Sequence, residues 1–190
     1  MERFSYNIIE HTFYNSVRKE AKMKSNKFKN WIATLDVKTC MPCRSRHGKI
    51  YSAQEVVLPS PPLHPHCRCV IKWLKAYLAG TATILGNNGA DWWLKWTGEL
   101  PDYYITQSEA IQCGFIPVLG NLSSVAPGKM LTKGTYKNRN EHLPQVPGRT
   151  WKEADINYLS GYRGPARILF SNDGLLFVTY DHYQTFQAII

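Results

Sequence analysis

The sequence lacks any run of apolar residues that approaches the roughly 20 needed for a membrane-spanning helix. Its first residues, MERFSYNIIEHTFYNSVRKEAK, also lack the apolar core of a secretory signal peptide. No internal repeat and no low-complexity tract occurs along the chain. We therefore expect a chain that is made in the cytoplasm, has no membrane span, and reaches any external target by delivery or export along another route.

Acidic residues are scarce in the first part of the chain. Residues 1–79 contain 5 acidic and 14 basic residues, whereas residues 80–190 contain 9 of each. The whole formal net charge of +9 therefore comes from the first part. This charge suits an anionic partner such as nucleic acid or a phosphate-rich surface, and a solvated basic helix explains it equally well.

The chain has room for one large domain or two small ones, with 190 residues of which 44% are hydrophobic. Turn-forming residues in GTATILGNN predict a boundary near Gly80, which divides the chain into domains of residues 1–79 and 80–190. In the first domain, apolar residues at helical spacing predict a basic amphipathic helix over residues 2–29. WIATLDV predicts a short strand, and CRCVIKWLKAYLAG predicts a helix that ends at Gly80.

The second domain changes from helical to strand-like patterns along its length. ADWWLKWTG predicts a short helix, and the TQSE capping box at Thr106 predicts the start of another. From Thr150 onward, TWKEADINY, ARILFS, LLFVTY and QTFQAI alternate as strands do, and a hairpin turn is predicted over residues 171–174. Helices followed by antiparallel strands indicate an α+β fold.

Four of the five cysteines lie close together in sequence. Two residues separate Cys40 from Cys43, and 23 residues separate Cys43 from Cys67, which lies between His64 and Cys69. This spacing is typical of a zinc site, with Cys40 and Cys43 as its firm pair. The second pair of ligands is either His64 with Cys67 or Cys67 with Cys69. The simpler alternative is that no metal binds and the cysteines are merely reduced thiols beside a proline-rich loop. The zinc is expected to be structural, because protein ligands fill all four positions and no nearby glutamate offers a base.

The cysteine-containing segment resembles the C-terminal part of phage head-morphogenesis (minor capsid) proteins of the Mu F-like type. The residues that carry the resemblance are WIATLDVKTCMPCRSRHGKIY and PPLHPHCRC, within residues 8–75. The resemblance implies a delivery or packaging module, with phage particle components as partners. Such modules are sometimes joined to a toxin.

Four residues of the second domain could together cleave RNA. Internal attack by the RNA 2′-hydroxyl needs a base, an acid for the leaving oxygen, and cations for the crowded phosphate. Glu153, Arg163, Arg167 and His182 offer these three functions. Taken singly, each has a structural explanation as well, such as a solvated strand face for Glu153.

The second domain resembles barnase, a family of secreted bacterial guanyl-preferring ribonucleases, over about residues 83–190. The resemblance rests on LPDYYITQSEA, GNLSSVAPGK, GRTWKEADINYLSGYRGPARIL and TYDHYQTF, which occur in the family's order. It implies an α+β domain in which helices pack on an antiparallel sheet. It also implies that Glu153 is the general base, that His182 is the general acid, and that Arg163 and Arg167 bind the scissile phosphate. Asp155 then orients the two arginines.

The same resemblance implies a base-binding site with two departures from the family. Backbone groups of Lys137, Asn138 and Arg139 would bind the base, on which Tyr183 would stack. Asn140 replaces the family's base-reading glutamate, and an amide cannot accept two hydrogen bonds from guanine as a carboxylate does.

The second departure from the family is at Gln107, where the family has a charged side chain. Gln107 stands where the family has a phosphate-facing lysine, which predicts weaker activity. Glu141, one residue after Asn140, could replace the missing carboxylate only if the loop shifts. Arg149 and Asp173 match a structural salt bridge of the family.

We therefore expect an endoribonuclease toxin, without a catalytic cofactor, behind a zinc-stabilised phage-type module. Its substrate would be RNA, and the bacterial cell that makes it would need a barstar-like acidic inhibitor that covers the basic active site. The alternative from another class is a phage structural or interaction protein with a non-catalytic ribonuclease fold. A zinc-dependent nucleic-acid-binding module is a third possibility, and it rests on the basic first domain.

Overall fold

The computed structural model describes residues 22–190, and strands dominate this part of the chain. The nine strands are β1 (Lys22–Ile32), β2 (Ile50–Ser52), β3 (Val70–Tyr77), β4 (Tyr104–Thr106), β5 (Met130–Tyr136), β6 (Trp151–Asp155), β7 (Arg167–Ser171), β8 (Leu176–Thr179) and β9 (Gln187–Ile189). The four α-helices are α1 (Met41–Arg44), α2 (Ala90–Trp96), α3 (Gln107–Gln112) and α4 (Leu122–Val125). Short 3-10 helices span Gly86–Asn88 and Pro117–Leu119. None of the helices in this range has the length and apolar content of a bilayer-crossing segment.

All nine strands form one sheet, in the order β2-β1-β3-β9-β8-β7-β6-β5-β4. Most neighbours are antiparallel, and β3 with β9 and β4 with β5 are the parallel pairs. The β3–β9 pairing, with Ala76 opposite Ala188 and Tyr77 opposite Ile189, joins the strands before Gly80 to those after it. The mixture of helices and strands predicted for the second domain is therefore present, and its sheet continues into the first domain.

The central part of the sheet has an apolar core on each face. On one face, α2 buries Ala90 and Leu94 against Ile168 and Val178. The opposite face carries a cluster that draws on both predicted domains. Its fully or nearly fully buried members are Phe28, Ile50, Leu74, Ala76, Leu143, Trp151, Leu169, Phe177, Phe186 and Ala188. Because this cluster contains residues from both parts of the chain, it gives them a common source of stability.

Two helix predictions for the first domain are wrong. Residues 22–29 of the helix predicted over residues 2–29 belong to β1, and the rest of that prediction lies outside the described residues. The segment CRCVIKWLKAYLAG contains β3 instead of a helix. Leu74 and Ala76 are buried on either side of exposed Lys75, which is the period of two expected of a strand. Pairing with β1 and β9 thus prevails over the local helical pattern.

Local signals in the second domain are confirmed. The Thr106 hydroxyl accepts a hydrogen bond from the Glu109 backbone N–H, and the Glu109 side chain accepts one from the Thr106 N–H, which completes the predicted capping box. Residues 171–174 form the turn between β7 and β8, where Gly174 has a φ of +84°. Of the strand predicted over WIATLDV, only Trp31 and Ile32 belong to a strand, because β1 begins at Lys22 and ends at Ile32.

The buried carboxylate of Asp91 fixes the segment that connects the two parts of the chain. Asp91 is 0% exposed, and its Oδ2 accepts hydrogen bonds of 2.8 Å from the backbone N–H groups of Gly80 and Ala82. Its Oδ1 accepts a third, also of 2.8 Å, from the Thr83 hydroxyl. The start of α2 therefore holds the connection directly after β3.

We predict that Asp91→Ala lowers the free energy of unfolding by about 2–5 kcal/mol, because each buried donor left without a partner costs about 1–3 kcal/mol. Chemical denaturation measures the change. The exposed Asp102 provides the control, and Asp102→Ala should change stability by less than about 0.5 kcal/mol. Equal effects of the two substitutions would show that Asp91 does not hold the connection.

Candidate active site

Glu153 and Asp155 lie two residues apart on β6, so both side chains point to the same face of the sheet. The strand register places Asp155 opposite Arg167 on β7, and Arg167 opposite Thr179 on β8. Each of these four side chains is less than a tenth exposed. These four polar side chains therefore form a buried row across β6, β7 and β8, at one end of an otherwise apolar core.

Asp155 binds two arginines. Its Oδ1 lies 2.7 Å from Nη2 of Arg163 and 3.0 Å from Nε of Arg167, and its Oδ2 accepts a hydrogen bond from Nε of Arg163. Burial alone would lower the pKa of Arg163, but the Asp155 carboxylate outweighs this effect and raises it. Arg167 also donates from Nη1 to the carbonyl oxygens of Gly164 and Ala166, each at 2.6 Å. One carboxylate thus fixes two cations side by side, with a net positive charge.

Glu153 has a fixed partner in Tyr183. The Tyr183 hydroxyl donates a 2.5 Å hydrogen bond to Oε2 of the Glu153 carboxylate. Burial and the neighbouring Glu153 carboxylate raise the pKa of Tyr183 well above its usual value. Tyr183 therefore keeps its proton and remains a hydrogen-bond donor, which orients the carboxylate.

His182 and Tyr183 lie on a tight loop after β8. Both have positive φ values, 57° and 67°, which non-glycine residues rarely adopt. His182 is exposed, and the Tyr183 N–H donates to the Thr179 hydroxyl at 3.0 Å. The His182 ring centroid lies 5.1 Å from that of Tyr183, whose hydroxyl binds the Glu153 carboxylate.

The Asp181 carboxylate secures this loop, and the sequence analysis missed it. Its Oδ1 accepts hydrogen bonds from the Thr179 hydroxyl and from the N–H groups of Gln184 and Thr185, at 2.9–3.1 Å. Its Oδ2 accepts a 2.5 Å bond from the Thr185 hydroxyl. Partial burial would raise the pKa of Asp181, but these hydrogen bonds lower it overall. An aspartate followed three and four residues later by its donors, as in DHYQT, is the signal that could have identified it.

A cleft of about 620 Å³ opens beside His182 and Tyr183. It contains the residues predicted to bind the base, and its full lining is Thr135, Tyr136, Lys137, Asn138, Arg139, Asn140, His142, His182, Tyr183 and Gln184. The Tyr136 and Tyr183 rings are stacked with centroids 5.4 Å apart. The structure therefore brings the predicted base-binding residues together with the predicted acid, and it adds His142.

Two residues of the neighbouring loop are occupied by structural contacts. The Asn138 side chain donates to the Leu143 carbonyl at 2.9 Å and accepts from the Leu143 N–H at 3.1 Å. Glu141 is absent from the lining of the cleft, and its Oε2 lies 2.8 Å from the Lys49 ammonium group. In this arrangement Glu141 does not replace the base-reading carboxylate that Asn140 lacks.

Gln107 is exposed at the first position of α3. The preceding residue, Thr106, pairs with Thr132 on β5, which pairs with Ala154 on β6. Gln107 therefore follows the residue of β4 that lies level with Ala154, and Ala154 lies between Glu153 and Asp155. Since β4 and β6 are two strand spacings apart, the backbones of Thr106 and Ala154 are separated by about 10 Å.

The cysteine cluster lies in the loops around β1 and β3, at the other end of the sheet. Ligand atoms within 4.8 Å of one another form two groups, Cys40–Cys43–His64 and Cys43–Cys67–Cys69. Nε2 of His64 lies 3.2 Å from the Cys40 sulfur and 3.3 Å from the Cys43 sulfur, and the Cys43 and Cys67 sulfurs are 3.7 Å apart. Two thiolates on one tetrahedral zinc are separated by about 3.8 Å, so this donor set fits zinc.

The predicted salt bridge between Arg149 and Asp173 is present. Nη2 of Arg149 lies 2.7 Å from Oδ2 of Asp173, and Nε lies 3.0 Å from both carboxylate oxygens. Arg149 also donates to the Pro144 carbonyl at 2.9 Å. The pair therefore links the turn after β7 to the segment before β6, and it plays a structural part.

Comparison with known proteins matches two successive parts of the chain to two different families. Residues 3–72 match the family described as Phage Mu protein F like protein, and residues 95–190 match the family described as ribonuclease. Ribonucleases from Heyndrickxia coagulans, Bacillus intermedius and Bacillus pumilus are each 50% identical over 90 residues, or 47% of this chain. The match covers 83% of the first relative and 56% of each of the other two, so the chain spans about half the length of these two.

We predict that Asp181→Ala speeds amide hydrogen exchange at Gln184 and Thr185 by about tenfold or more, because a hydrogen bond to a charged group contributes about 1.5–3 kcal/mol. Since the pKa of Asp181 is lowered in the folded chain, its stabilisation is complete above the usual aspartate pKa and is lost as the pH falls through the lowered value. Protection in the wild type should therefore decline toward acid pH, and Asp181→Ala should remove this dependence. Unchanged exchange in the variant would contradict the assignment.

Proposed function

The chain belongs to the ribonuclease family, joined to a Phage Mu F-like region, and we propose that it is an endoribonuclease toxin that cleaves single-stranded RNA. The observation that supports this most directly is the pair of arginines fixed by Asp155 beside the buried Glu153 carboxylate. A preorganised pair of cations next to a base is what internal attack on a phosphodiester requires.

In the first step, Glu153 takes the proton of the RNA 2′-hydroxyl, and the resulting oxygen attacks the adjacent phosphorus. Arg163 and Arg167 stabilise the added negative charge, and Asp155 keeps them in place without solvent reorganisation. His182 gives a proton to the leaving 5′-oxygen, so the products are a 2′,3′-cyclic phosphate and a 5′-hydroxyl. In the second step the two groups exchange roles, and water opens the cyclic phosphate.

The base is bound in the cleft between residues 136–140 and the loop of His182. Lys137, Asn138 and Arg139 offer backbone groups, and Tyr183 provides an aromatic face. Because Asn140 has only one acceptor group and Glu141 is bound to Lys49, we expect weaker discrimination for guanine than the barnase family shows. Gln107 supplies no charge where that family has a lysine, so activity should also be lower.

The cell that makes the toxin would require an acidic, barstar-like inhibitor. Arg139 and His182 are exposed at the cleft, whereas Arg167 is 5% exposed. An inhibitor would therefore meet Arg139 and His182 first and reach Arg167 only through the phosphate site. Opposite charge on the inhibitor would speed its association.

The Phage Mu F-like region would serve delivery or packaging and hold a structural zinc. Cys40, Cys43 and Cys67 would be three of the ligands. Either His64 or Cys69 would be the fourth. When bound, zinc would tie the loops before and after β2 together. The cleft beside His182 is lined by none of these five residues.

We predict that the chain cuts a single-stranded RNA oligonucleotide to 2′,3′-cyclic phosphate ends and leaves the matched DNA intact, because DNA has no 2′-hydroxyl. Mass spectrometry of the ends measures both outcomes. Glu153→Ala and His182→Ala should each slow cleavage by about 10² to 10⁴. Cut DNA, or RNA products with 5′-phosphate ends, would refute the mechanism, and a chain that cuts neither would favour a phage structural role.

We predict that a chelator releases zinc and loosens residues 30–75, yet leaves the turnover rate at saturating RNA within about threefold of its original value. The reason is that the cysteine loops lie several strands away from β6 and β7. Metal content and hydrogen exchange report the loosening, and the cleavage assay reports the turnover. A turnover that vanishes with chelator and returns with zinc would overturn the metal-independent assignment.

A further inference from the structure

The outer side of the base-binding loop is in contact with the first domain. We call residues 138–143 the base loop and residues 48–50 the brace segment. The Ile50 N–H donates a 2.8 Å hydrogen bond to the His142 carbonyl, and the Lys49 ammonium group lies 2.8 Å from the Glu141 carboxylate. Two adjacent residues of the brace segment thus bind two adjacent residues of the base loop.

The base loop has a conformation that needs support. Asn138 and Glu141 have positive φ values of 43° and 50°, which are unfavourable for residues other than glycine. Within the loop, the Asn138 side chain bonds to both backbone groups of Leu143, and the Glu141 N–H donates to the Asn138 carbonyl at 2.9 Å. The brace segment adds the contacts on the outer side.

The brace segment also approaches the opposite wall of the cleft. A Cβ placed on Gly48 would lie 3.6 Å from the His142 ring and 3.8 Å from the carbonyl oxygen of Gln184, which follows His182 and Tyr183 in the chain. Both His142 and Gln184 line the cleft. Gly48 of the first domain therefore lies next to both loops between which the base would bind.

The brace segment is itself held firmly. The Gly48 N–H donates to the Trp31 carbonyl at 2.9 Å, and the Trp31 N–H donates to the Lys49 carbonyl at 3.0 Å. Trp31 is 0% exposed, and Ile50 belongs to the core that both parts of the chain share. A rigid element is thus available to position the base loop.

We propose that the brace segment is a positioning element of the base-binding site, through which the Phage Mu F-like region controls how the ribonuclease binds the base of its RNA substrate. The inference rests on the proposed function. Lys49 acts through Glu141 and touches neither the substrate nor the reacting atoms. Since the ion pair and the backbone hydrogen bond both join the brace segment to the base loop, the effect belongs to substrate binding.

Charge reversal of the Lys49–Glu141 pair tests the proposal. Lys49→Glu removes a cation near the RNA and Glu141→Lys adds one, so long-range attraction alone would change KM in opposite directions. Positioning predicts that each single variant raises KM about two- to fivefold, the range of an exposed ion pair, with kcat unchanged within about twofold. The double variant Lys49→Glu/Glu141→Lys should restore KM.

Matched controls have the same charge changes at exposed positions outside the base loop and the brace segment. Lys75→Glu on β3 matches Lys49→Glu, and Glu99→Lys after α2 matches Glu141→Lys. These controls should change KM in the opposite directions that net charge dictates, or leave it unchanged. A lower KM for Glu141→Lys, or a double variant that does not recover, would overturn the proposal.

Binding of guanosine 3′-monophosphate and adenosine 3′-monophosphate, measured by calorimetry, gives a second readout that needs no catalysis. The single variants should change the ratio of the two dissociation constants, and the double variant should restore it. A chain that cuts no RNA would contradict the proposed function, whereas the nucleotide measurements would still decide the positioning. A ratio that is the same in all four chains would refute it.

Discussion

The pairing of β3 with β9 is the contact on which the arrangement of the whole chain depends. It continues the ribonuclease sheet into β1 and β2, and it brings Leu74 and Ala76 into the same core as Phe177. Without it, the apolar surface of the central strands would lose the cover that the first domain provides. The predicted boundary near Gly80 falls between the two family matches, residues 3–72 and 95–190, and the hydrophobic core runs across it.

The chemistry of the proposed site depends on buried carboxylates, each of which has a hydrogen-bonding or oppositely charged partner in direct contact. Asp155 is 1% exposed and is surrounded by the two arginines, and the Glu153 carboxylate is held by Tyr183. A buried ion without such partners would be costly, so the cluster can persist only as a set. In the proposed reaction, this interdependence would hold the charged groups in place for an anionic transition state before the substrate arrives.

Short-range signals in the sequence were sufficient for part of the structure. The capping box at Thr106 and the turn over residues 171–174 are set by neighbours within a few residues, and both were predicted correctly. The helix predicted over CRCVIKWLKAYLAG failed because the partners of β3 are β1 and β9, which are distant in sequence. For the site, alternation along β6 placed Glu153 and Asp155 on one face, and the roles proposed for them come from the family resemblance. The contact between Lys49 and Glu141 joins residues 92 positions apart, and no local pattern could have revealed it.

The two ends of the sheet bear on how the protein behaves at high concentration. In the described part of the chain, the outermost strands are β2 and β4, and each has only three residues. Exposed strand edges present unpaired backbone groups that can recruit another chain, and very short edge strands limit this tendency. A nine-stranded sheet would otherwise be a large template for intermolecular β-pairing. Because β2 and β4 are so short, each outermost strand offers little backbone through which a second copy could pair.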